Sequence, residues 1–340
     1  MEERNYTIRD ISRLAKVSRG TVDRVIHKRG KVSPEAIEKV TKVLKEINYK
    51  PNLLARSLKS HKHNRIAAII PHYQEDSYWQ KCVNGIKKGE EEFKAFGGTI
   101  NYYTYDKTKA DYEQAFDKVL KDKPDAVLVA PIYYRESLPL FRKLEDLDIP
   151  YVLINTPIEN ANYKSFIGQD YWKSGRVAAQ LMDLLLPGKG DVLIIHVEED
   201  FENSTHLHRK EEGFRSYFTE KNKNRTIHTF TLHGEPPDFS PLQDAIASAR
   251  GMFITTSKAS VLRRYVENEA IRIVGYDLTP ENIEFLKNGK IDMLIHQNPH
   301  QQAYDGISFL SELLLYKKEP EYRKLLPIDI VTSENVDCYL

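Results

Sequence analysis

A short polar stretch near the N-terminus has the residue types and spacing needed to read the edges of DNA bases. Residues 19–27 read RGTVDRVIH, and the apolar members of this stretch fall on one face of a helix. Arg19, Asp23, Arg24 and His27 are therefore left on the opposite, outer face. Guanidinium groups can bind guanine edges and phosphates. The chemistry that this face indicates is recognition of double-stranded DNA, and Arg19 is the best candidate for a contact with guanine.

Two further helices are predicted to hold this face in place. Ser18 is a suitable N-cap for the second helix, and Ser33-Pro34-Glu35 predicts the start of a third. The result is the pattern of a helix-turn-helix, and the alternative is an ordinary helical hairpin with a solvated face. The predicted apolar faces are Ile8, Ile11, Leu14 and Ala15 in the first helix, and Ala36, Val40, Val43 and Ile47 in the third, with Ile37 and Leu44 beside them.

The charge of the chain is divided unevenly along its length. The net charge of +1 hides a basic segment, because residues 1–65 contain 17 Lys and Arg but only 7 Asp and Glu. The remaining residues hold 33 basic and 42 acidic side chains, a net charge of −9. A basic module on an acidic body is the asymmetry expected when only the module binds a polyanion.

Composition and motifs exclude several other functions. With 340 residues, the chain suits two or three soluble domains, and no apolar run approaches the ~18 residues of a membrane helix. We expect a cytoplasmic protein, since the N-terminus lacks the apolar core of a signal peptide. Cys82 and Cys338 form no CxxC pair, so neither a disulfide framework nor a metal site is predicted. The sequence also contains no phosphate-binding glycine loop and no GxSxG motif, so we expect no cofactor and no enzyme activity.

The segment from Tyr6 to Lys59 resembles the LacI (lactose-repressor) family of bacterial transcription regulators without a gap. The matching motifs are TIRDI, VSRGTVDRV, KVSPE and NYKPNLLARSL. The resemblance implies that Arg19 and Gly20 open the recognition helix, and that Leu58 of a hinge helix is wedged into the minor groove. The predicted DNA-contacting residues are Thr7, Ser18, Arg19, Gly20, Thr21, Arg24, His27, Asn52, Ala55, Leu58 and Lys59.

Two positions depart from the usual pattern of that family. Gly20 has no side chain, so one common base contact is missing. Asp23 stands where a small hydroxyl residue is common. Its carboxylate could pair with Arg19 one turn earlier, or accept a hydrogen bond from a cytosine amino group.

After residue 64 the sequence alternates between apolar strands and amphipathic helices, and the alternation restarts near residue 175. This pattern predicts an α/β body of two doubly wound parallel sheets, attached to a small all-α head. The body resembles the periplasmic sugar-binding-protein fold that the LacI family uses to bind effectors. The predicted domains are a head at 1–50, a hinge helix and linker at 51–63, and a body at 64–340. Within the body, the N-lobe is 64–168 with 298–325, and the C-lobe is 169–297 with 326–340.

Candidate ligand-binding residues follow the predicted strands, where ligands bind in open α/β sheets. Asn155, Asp277 and Gln297 each follow a strand, and the resemblance adds Asp170 and Arg209. Such groups can hydrogen-bond sugar hydroxyls, and aromatic rings can stack on a pyranose. The alternative is that Asp277 is a turn residue and that the tryptophans belong to the core. The predicted effector-binding residues are Tyr73, Tyr78, Trp79, Asn155, Asp170, Trp172, Arg209, Asp277 and Gln297.

These observations together predict a cytoplasmic, DNA-binding transcription regulator that acts as a homodimer on a near-palindromic operator. A small effector, expected to be a sugar or sugar derivative, would bind between the two lobes and change operator affinity; repression is the commoner outcome in the family. The alternatives are a regulator that responds to a purine co-repressor, and a two-lobed solute-binding protein that is not exported.

Overall fold

The computed structural model describes residues 6–26, 30–47, 63–74, 76–106, 108–188, 190–197, 203–223, 225–234 and 237–340. The chain divides into two compact units, Met1–Lys62 and His63–Leu340. The predicted hinge helix lies outside the described residues. So do five of the predicted DNA-contacting residues, namely His27, Asn52, Ala55, Leu58 and Lys59.

The described part of the first unit contains three helices, α1 (Ile8–Ala15), α2 (Arg19–Ile26) and α3 (Pro34–Glu46). Each helix begins where the sequence offers a capping group. Thr7 and Asp10 form a reciprocal capping box at the start of α1, and the Ser33 hydroxyl accepts from the backbone N–H of Ala36 at the start of α3. The core of this unit is formed by Ile11, Ala15, Val22, Val40 and Val43.

Two of the residues expected in this core are exposed instead. Leu14 is 51% exposed and Ile37 is 45% exposed. Both lie at the edge of the apolar stripe of a short helix, and a core of five buried side chains covers only the centre of each stripe.

The second unit contains two six-stranded sheets, which we call the N-lobe and C-lobe sheets. In the N-lobe the strand order is β11-β5-β4-β3-β1-β2, and every adjacent pair is parallel. Its helices are α4 (Ser77–Lys94), α5 (Lys109–Asp122), α6 (Tyr134–Asp146) and α12 (Pro299–Tyr316). Its strands are β1 (Arg65–Pro71), β2 (Thr99–Tyr105), β3 (Ala126–Val129), β4 (Tyr151–Ile154), β5 (Ser165–Gly168) and β11 (Arg323–Leu325).

The C-lobe sheet repeats this arrangement in the order β12-β10-β9-β8-β6-β7, with only β12 antiparallel to its neighbour. Its helices are α7 (Tyr171–Leu185), α8 (Thr205–Glu220), α9 (Gln243–Ser248), α10 (Ala259–Tyr265) and α11 (Pro280–Lys287). Its strands are β6 (Asp191–Val197), β7 (Ile227–Leu232), β8 (Ala249–Ile254), β9 (Arg272–Tyr276), β10 (Met293–His296) and β12 (Asp329–Val331).

Both sheets have an apolar core on each face, as parallel sheets require. The fold class predicted from the sequence is therefore confirmed. The chain passes from one sheet to the other three times: after β5, after β10, and between β11 and β12. Among the described residues, no helix is both long enough and apolar enough to span a membrane.

Candidate functional site

The outer face of α2 presents the residues that were predicted to read DNA. Arg19, Gly20 and Arg24 are exposed, and Thr21 is half-buried. The Ser18 hydroxyl accepts from the backbone N–H of Thr21 at 3.1 Å and lies 2.9 Å from its hydroxyl. Ser18 therefore acts as the N-cap of α2, and two guanidinium groups remain on a free helical surface.

Thr7 has a structural role at the start of α1. Its hydroxyl accepts from the backbone N–H of Asp10, and its own N–H donates to the Asp10 carboxylate at 3.0 Å. At Gly20, a Cβ atom would meet only the Ser18 hydroxyl at 3.8 Å. Among residues 6–26 and 30–47, which the structure describes in the head, no contact therefore requires glycine at this position, and the missing side chain is a feature of the surface.

In the body, a cavity of about 620 Å³ lies between the two sheets, at the carboxyl ends of their strands. A cavity of this size falls in the range of small-molecule sites. Five of the predicted effector-binding residues line it: Tyr78, Trp79, Asn155, Asp277 and Gln297. The remaining lining residues are Pro71, His72, Asp76, Tyr105, Asp106, Lys109, Ile132, Tyr133, Val197, Ser204, His206, Lys210, Thr255, Thr256, Ser257 and Lys258.

Asp277 and Gln297 form a buried acid–amide pair on the C-lobe side of the cavity. The Gln297 side-chain amide donates to one Asp277 carboxylate oxygen at 2.6 Å, and the Gln297 backbone N–H donates to the other at 3.3 Å. Asp277 is only 3% exposed. Burial raises the pKa of its carboxyl to about 6, although the nearby Lys210 ammonium and the bonds from Gln297 act in the opposite direction.

The backbone around Asp277 is fixed by a side chain that the sequence analysis did not single out. Asn282 is fully buried, and its amide donates to the carbonyls of Ser257, Tyr276 and Asp277. Asp277 has a φ of +68°, which is uncommon for a residue with a side chain. Asn282 thus holds the loops after β8 and β9 together and stabilises this conformation.

Asn155 occupies the corresponding place on the N-lobe side. Its side-chain oxygen accepts from the hydroxyls of Tyr78 at 3.1 Å and Tyr171 at 2.9 Å. Its backbone N–H donates to Gln302, whose amide donates in turn to the Gln297 carbonyl. Through Gln302, the N-lobe side of the cavity is hydrogen-bonded to the C-lobe side.

Lys210, which the sequence analysis passed over, supplies a buried cation to the cavity. It is 1% exposed, its Nζ donates to the Thr255 carbonyl at 2.8 Å, and it lies 3.7 Å from the centroid of the Tyr276 ring. A helical signal marks it, because Leu207, Lys210 and Phe214 follow the period of one helix face and are all buried.

Four predicted effector-binding residues lie outside the cavity lining. Arg209 is next to Lys210 in α8 but its side chain is half-exposed, and it pairs with Glu212 at 3.0 Å and Glu159 at 3.3 Å. Asp170 caps α7 by accepting from the backbone N–H of Lys173.

The other two of these residues are aromatic. The Trp172 ring is covered by the Arg176 guanidinium, 4.8 Å from its centroid. Tyr73 packs against the N-lobe core and stacks on His72. Both rings therefore have protein partners, and the structure does not bring them into the cavity.

The chain matches two protein families. Residues 66–318, about three quarters of the chain, match the family described as "Periplasmic binding protein domain". Residues 7–52 match "Bacterial regulatory proteins, lacI family". The first match covers the two-lobed body, and the second covers the three helices of the head.

Relatives match over nearly the whole length of the chain. It is 24% identical to the ribose operon repressor of Lactococcus lactis (97% of this chain, 98% of the relative) and 26% identical to that of Halalkalibacterium halodurans (96% of each). A crystal structure assigned as a LacI transcriptional regulator of Bacteroides fragilis is 27% identical, with a TM-score of 0.78 over 82% of this chain and all of that one. The chain therefore belongs to the LacI family of DNA-binding transcription regulators, with a helix-turn-helix head and a periplasmic-binding-protein body.

Proposed function

We propose that this regulator binds a near-palindromic operator as a cytoplasmic homodimer and that a sugar or sugar derivative in the interlobe cavity controls its affinity for DNA. One observation carries the proposal: a single chain holds both an exposed cationic recognition helix and a cavity with buried carboxylate, amide and ammonium groups. Hydroxyl groups, which both donate and accept, match such a mixed set of donors and acceptors.

The relatives support this choice of ligand class. Two of them are named ribose operon repressors. Solved structures with a similar fold, at 15–22% identity, include proteins bound to arabinose and tagatose. The relatives are regulators, and we propose that this chain likewise acts by binding and not as an enzyme.

The effector would act by favouring one arrangement of the lobes over another. A ligand can shift such an equilibrium only through a difference in its affinity for the two arrangements. The cavity has walls from both lobes, so a ligand that contacts both walls prefers the closed arrangement. A change in lobe spacing would then reach DNA through the hinge segment at 51–63, which we propose pairs with that of a second copy.

A thermal-shift screen of the full chain tests the effector class. The panel holds monosaccharides, disaccharides, sugar phosphates, sugar acids and purines. A ligand at a hundredfold excess over its Kd adds ~2.7 kcal/mol to the free energy of unfolding, which is readily detected as a higher Tm. We expect a sugar-class hit that is lost in Asp277→Asn. A purine hit would contradict the sugar assignment, and no hit at all would count against effector control.

Operator binding is measured separately, with DNA fragments selected by the full chain. The hit from the screen is then added to the complex. A change of tenfold or more in operator affinity would support allosteric control. An unchanged affinity would contradict it while leaving DNA binding intact.

A further inference from the structure

The first turn of helix α6 receives a hydrogen-bond acceptor from the opposite lobe. Helix α6 (Tyr134–Asp146) belongs to the N-lobe, and Tyr133 at its N-cap position makes no side-chain capping bond. The backbone N–H of Arg135 donates instead to Oδ1 of Asn203, at 3.0 Å. Asn203 stands just before the C-lobe helix α8 and is only 3% exposed. A C-lobe side chain thus performs the task of a missing N-cap.

The contact is reciprocal. Nδ2 of Asn203 donates to Oε2 of Glu136 at 2.7 Å, and Glu136 is the third residue of α6. In an ordinary capping box, the cap side chain accepts from the first turn and the acidic third residue accepts from the cap residue. We propose that Asn203 and Glu136 form a capping box shared between the lobes, and that it stabilises the closed cleft without any effector.

The environment of Glu136 supports a strong contact. Its side chain is 15% exposed, and its other carboxylate oxygen lies 3.6 Å from Nζ of Lys109. A hydrogen bond to a charged group is stronger than one between neutral groups, and low exposure limits competition from water. Lys109 also lines the cavity, so the shared capping box lies at its rim.

Closure of the cleft is what brings the two partners together. Asn203 and Glu136 are separated by 67 positions and lie in different lobes. No local turn therefore holds them together, and opening the cleft would leave the Arg135 N–H and the Asn203 amide without these partners. From the strength of helix caps and of bonds to charged groups, we expect loss of the box to lower the closed-to-open ratio about tenfold.

The consequence for ligand binding follows from population arithmetic. If the effector binds the closed arrangement, its apparent affinity scales with the closed fraction. That step rests on the proposed function. The lobe equilibrium of the ligand-free protein does not depend on the proposed function. The shared capping box and the sugar effector can therefore be disproved independently.

The test measures the lobe separation in the full chain without ligand. Spin labels are attached at two exposed positions, through Lys118→Cys in the N-lobe and Lys221→Cys in the C-lobe. The exposed Cys338 is replaced by serine so that it is not labelled, and Cys82 is left in place because it is buried. In Asn203→Asp, the side chain can still accept from the Arg135 N–H, but its carboxylate faces that of Glu136 and the two repel each other. We expect its distance distribution to shift toward longer, open distances.

A charge swap provides the matched rescue. In the double variant Asn203→Asp/Glu136→Gln, the Gln amide can donate to the Asp carboxylate, so we expect the short distance to return. Glu312→Gln, which removes an exposed ion pair with Lys318 within the N-lobe, should leave the distribution unchanged. If Asn203→Asp does not fold, Glu136→Ala carries the same test.

Two outcomes would overturn the proposal. One is a distribution for Asn203→Asp, or for Glu136→Ala in its place, that matches the unsubstituted protein. The other is a failure of the charge swap to restore the short distance, because the contact would then not depend on this pair.

Discussion

At the scale of single residues, the binding chemistry of the cavity depends on the carboxyl group of Asp277, which the fold buries almost completely. Asp277 is 3% exposed, and burial raises its pKa to about 6 in spite of the Lys210 ammonium nearby. Ionisation of a buried carboxyl lowers the stability of the fold, but the resulting carboxylate is a strong hydrogen-bond acceptor for a ligand hydroxyl. A charged Asp277 therefore destabilises the fold but favours the binding of a ligand.

The raised pKa of Asp277 predicts a pH dependence of stability. In an unfolded chain this carboxyl would titrate at 3.8, so between about pH 4 and 6 the folded state holds the proton more tightly. The free energy of unfolding should therefore fall as pH rises through that window. We expect the unsubstituted protein to lose about 2 kcal/mol relative to Asp277→Asn between pH 4 and 6. Urea unfolding of both proteins checks this, and parallel pH profiles would contradict it.

The structure brings some of the predicted effector-binding residues to the cavity and leaves others outside its lining. Asn155, Asp277 and Gln297 line the cavity, and each was predicted because it directly follows an apolar strand. Arg209 was predicted from the family resemblance, and Lys210 was not among the predicted residues. In α8, Lys210 is buried and lines the cavity, whereas Arg209 lies at the surface and pairs with Glu159.

This difference predicts opposite results for two adjacent substitutions. Lys210→Met removes the buried ammonium from the cavity, so effector affinity should fall ten- to a hundredfold, as for loss of a charge-assisted hydrogen bond. Arg209→Met removes exposed ion pairs with Glu212 and with Glu159 of the N-lobe, which contribute little in water, so effector affinity should change less than about threefold. Calorimetric titration with the ligand from the screen distinguishes them. Equal losses in both variants would mean that the cavity does not hold the effector.

Arg19 gives a matching prediction for the head. Its guanidinium stands exposed at the start of α2. Arg19→Ala should cost ~1–3 kcal/mol on the operator and relax specificity at one base pair. Arg13→Ala, at the end of α1, is the control for a change in charge alone. Competition assays with operators altered at single positions measure both effects. An unchanged base preference would show that Arg19 does not contribute to base recognition.

At the scale of elements, the C-lobe wall of the cavity is set by two helices that pack without intervening side chains. A Cβ atom on Gly175 of α7 would lie 2.0 Å from the Lys210 carbonyl, and one on Gly213 of α8 would lie 2.0 Å from the Trp172 carbonyl. Only glycine allows the helices to approach this closely. The backbone position of Lys210 therefore depends on a residue in another helix.

Gly175→Ala should force α7 and α8 apart. Overpacking of this kind costs ~1–3 kcal/mol, and it should also weaken effector binding because Lys210 is displaced. Gly188→Ala is the matched control, since a Cβ atom there would have no described residue within 4 Å beyond its neighbours in the chain. Urea denaturation measures the cost. A Gly175→Ala protein as stable as the control would show that the helices can separate freely.

Strands were easier to predict from sequence than helix starts. Strands β3 and β4 follow continuous apolar runs in the sequence, because a strand that is buried in a parallel sheet carries apolar side chains on both faces. Helix α7 was expected at Gly175 but starts at Tyr171, because Asp170 caps it. Asp170 was predicted to bind the effector, so its role as the N-cap of α7 was not predicted. The cap of α6 could not be predicted at all, since it comes from Asn203 in the other lobe.

At the scale of the whole molecule, DNA binding and ligand binding rest on different kinds of electrostatics. Residues 1–65 carry a net charge of +10 and the remainder a net charge of −9. The charges of the head act on phosphates through water and salt, so they are screened. The charges in the cavity are buried, and salt screens them much less.

This separation predicts that salt affects the two activities differently. Each phosphate neutralised contributes about −0.9 to the slope of log K against log salt concentration. The proposed homodimer, with two basic heads, should make at least six such contacts, so operator affinity should fall about a thousandfold between 50 and 200 mM salt. Over the same range the Kd of the effector should change less than about twofold, because Asp277 and Lys210 are almost fully buried. Fluorescence anisotropy with operator DNA and calorimetry with the effector measure the two slopes. A slope of only two or three on DNA would indicate one bound head, and sedimentation would then show a mass near 39.4 kDa, not twice that value.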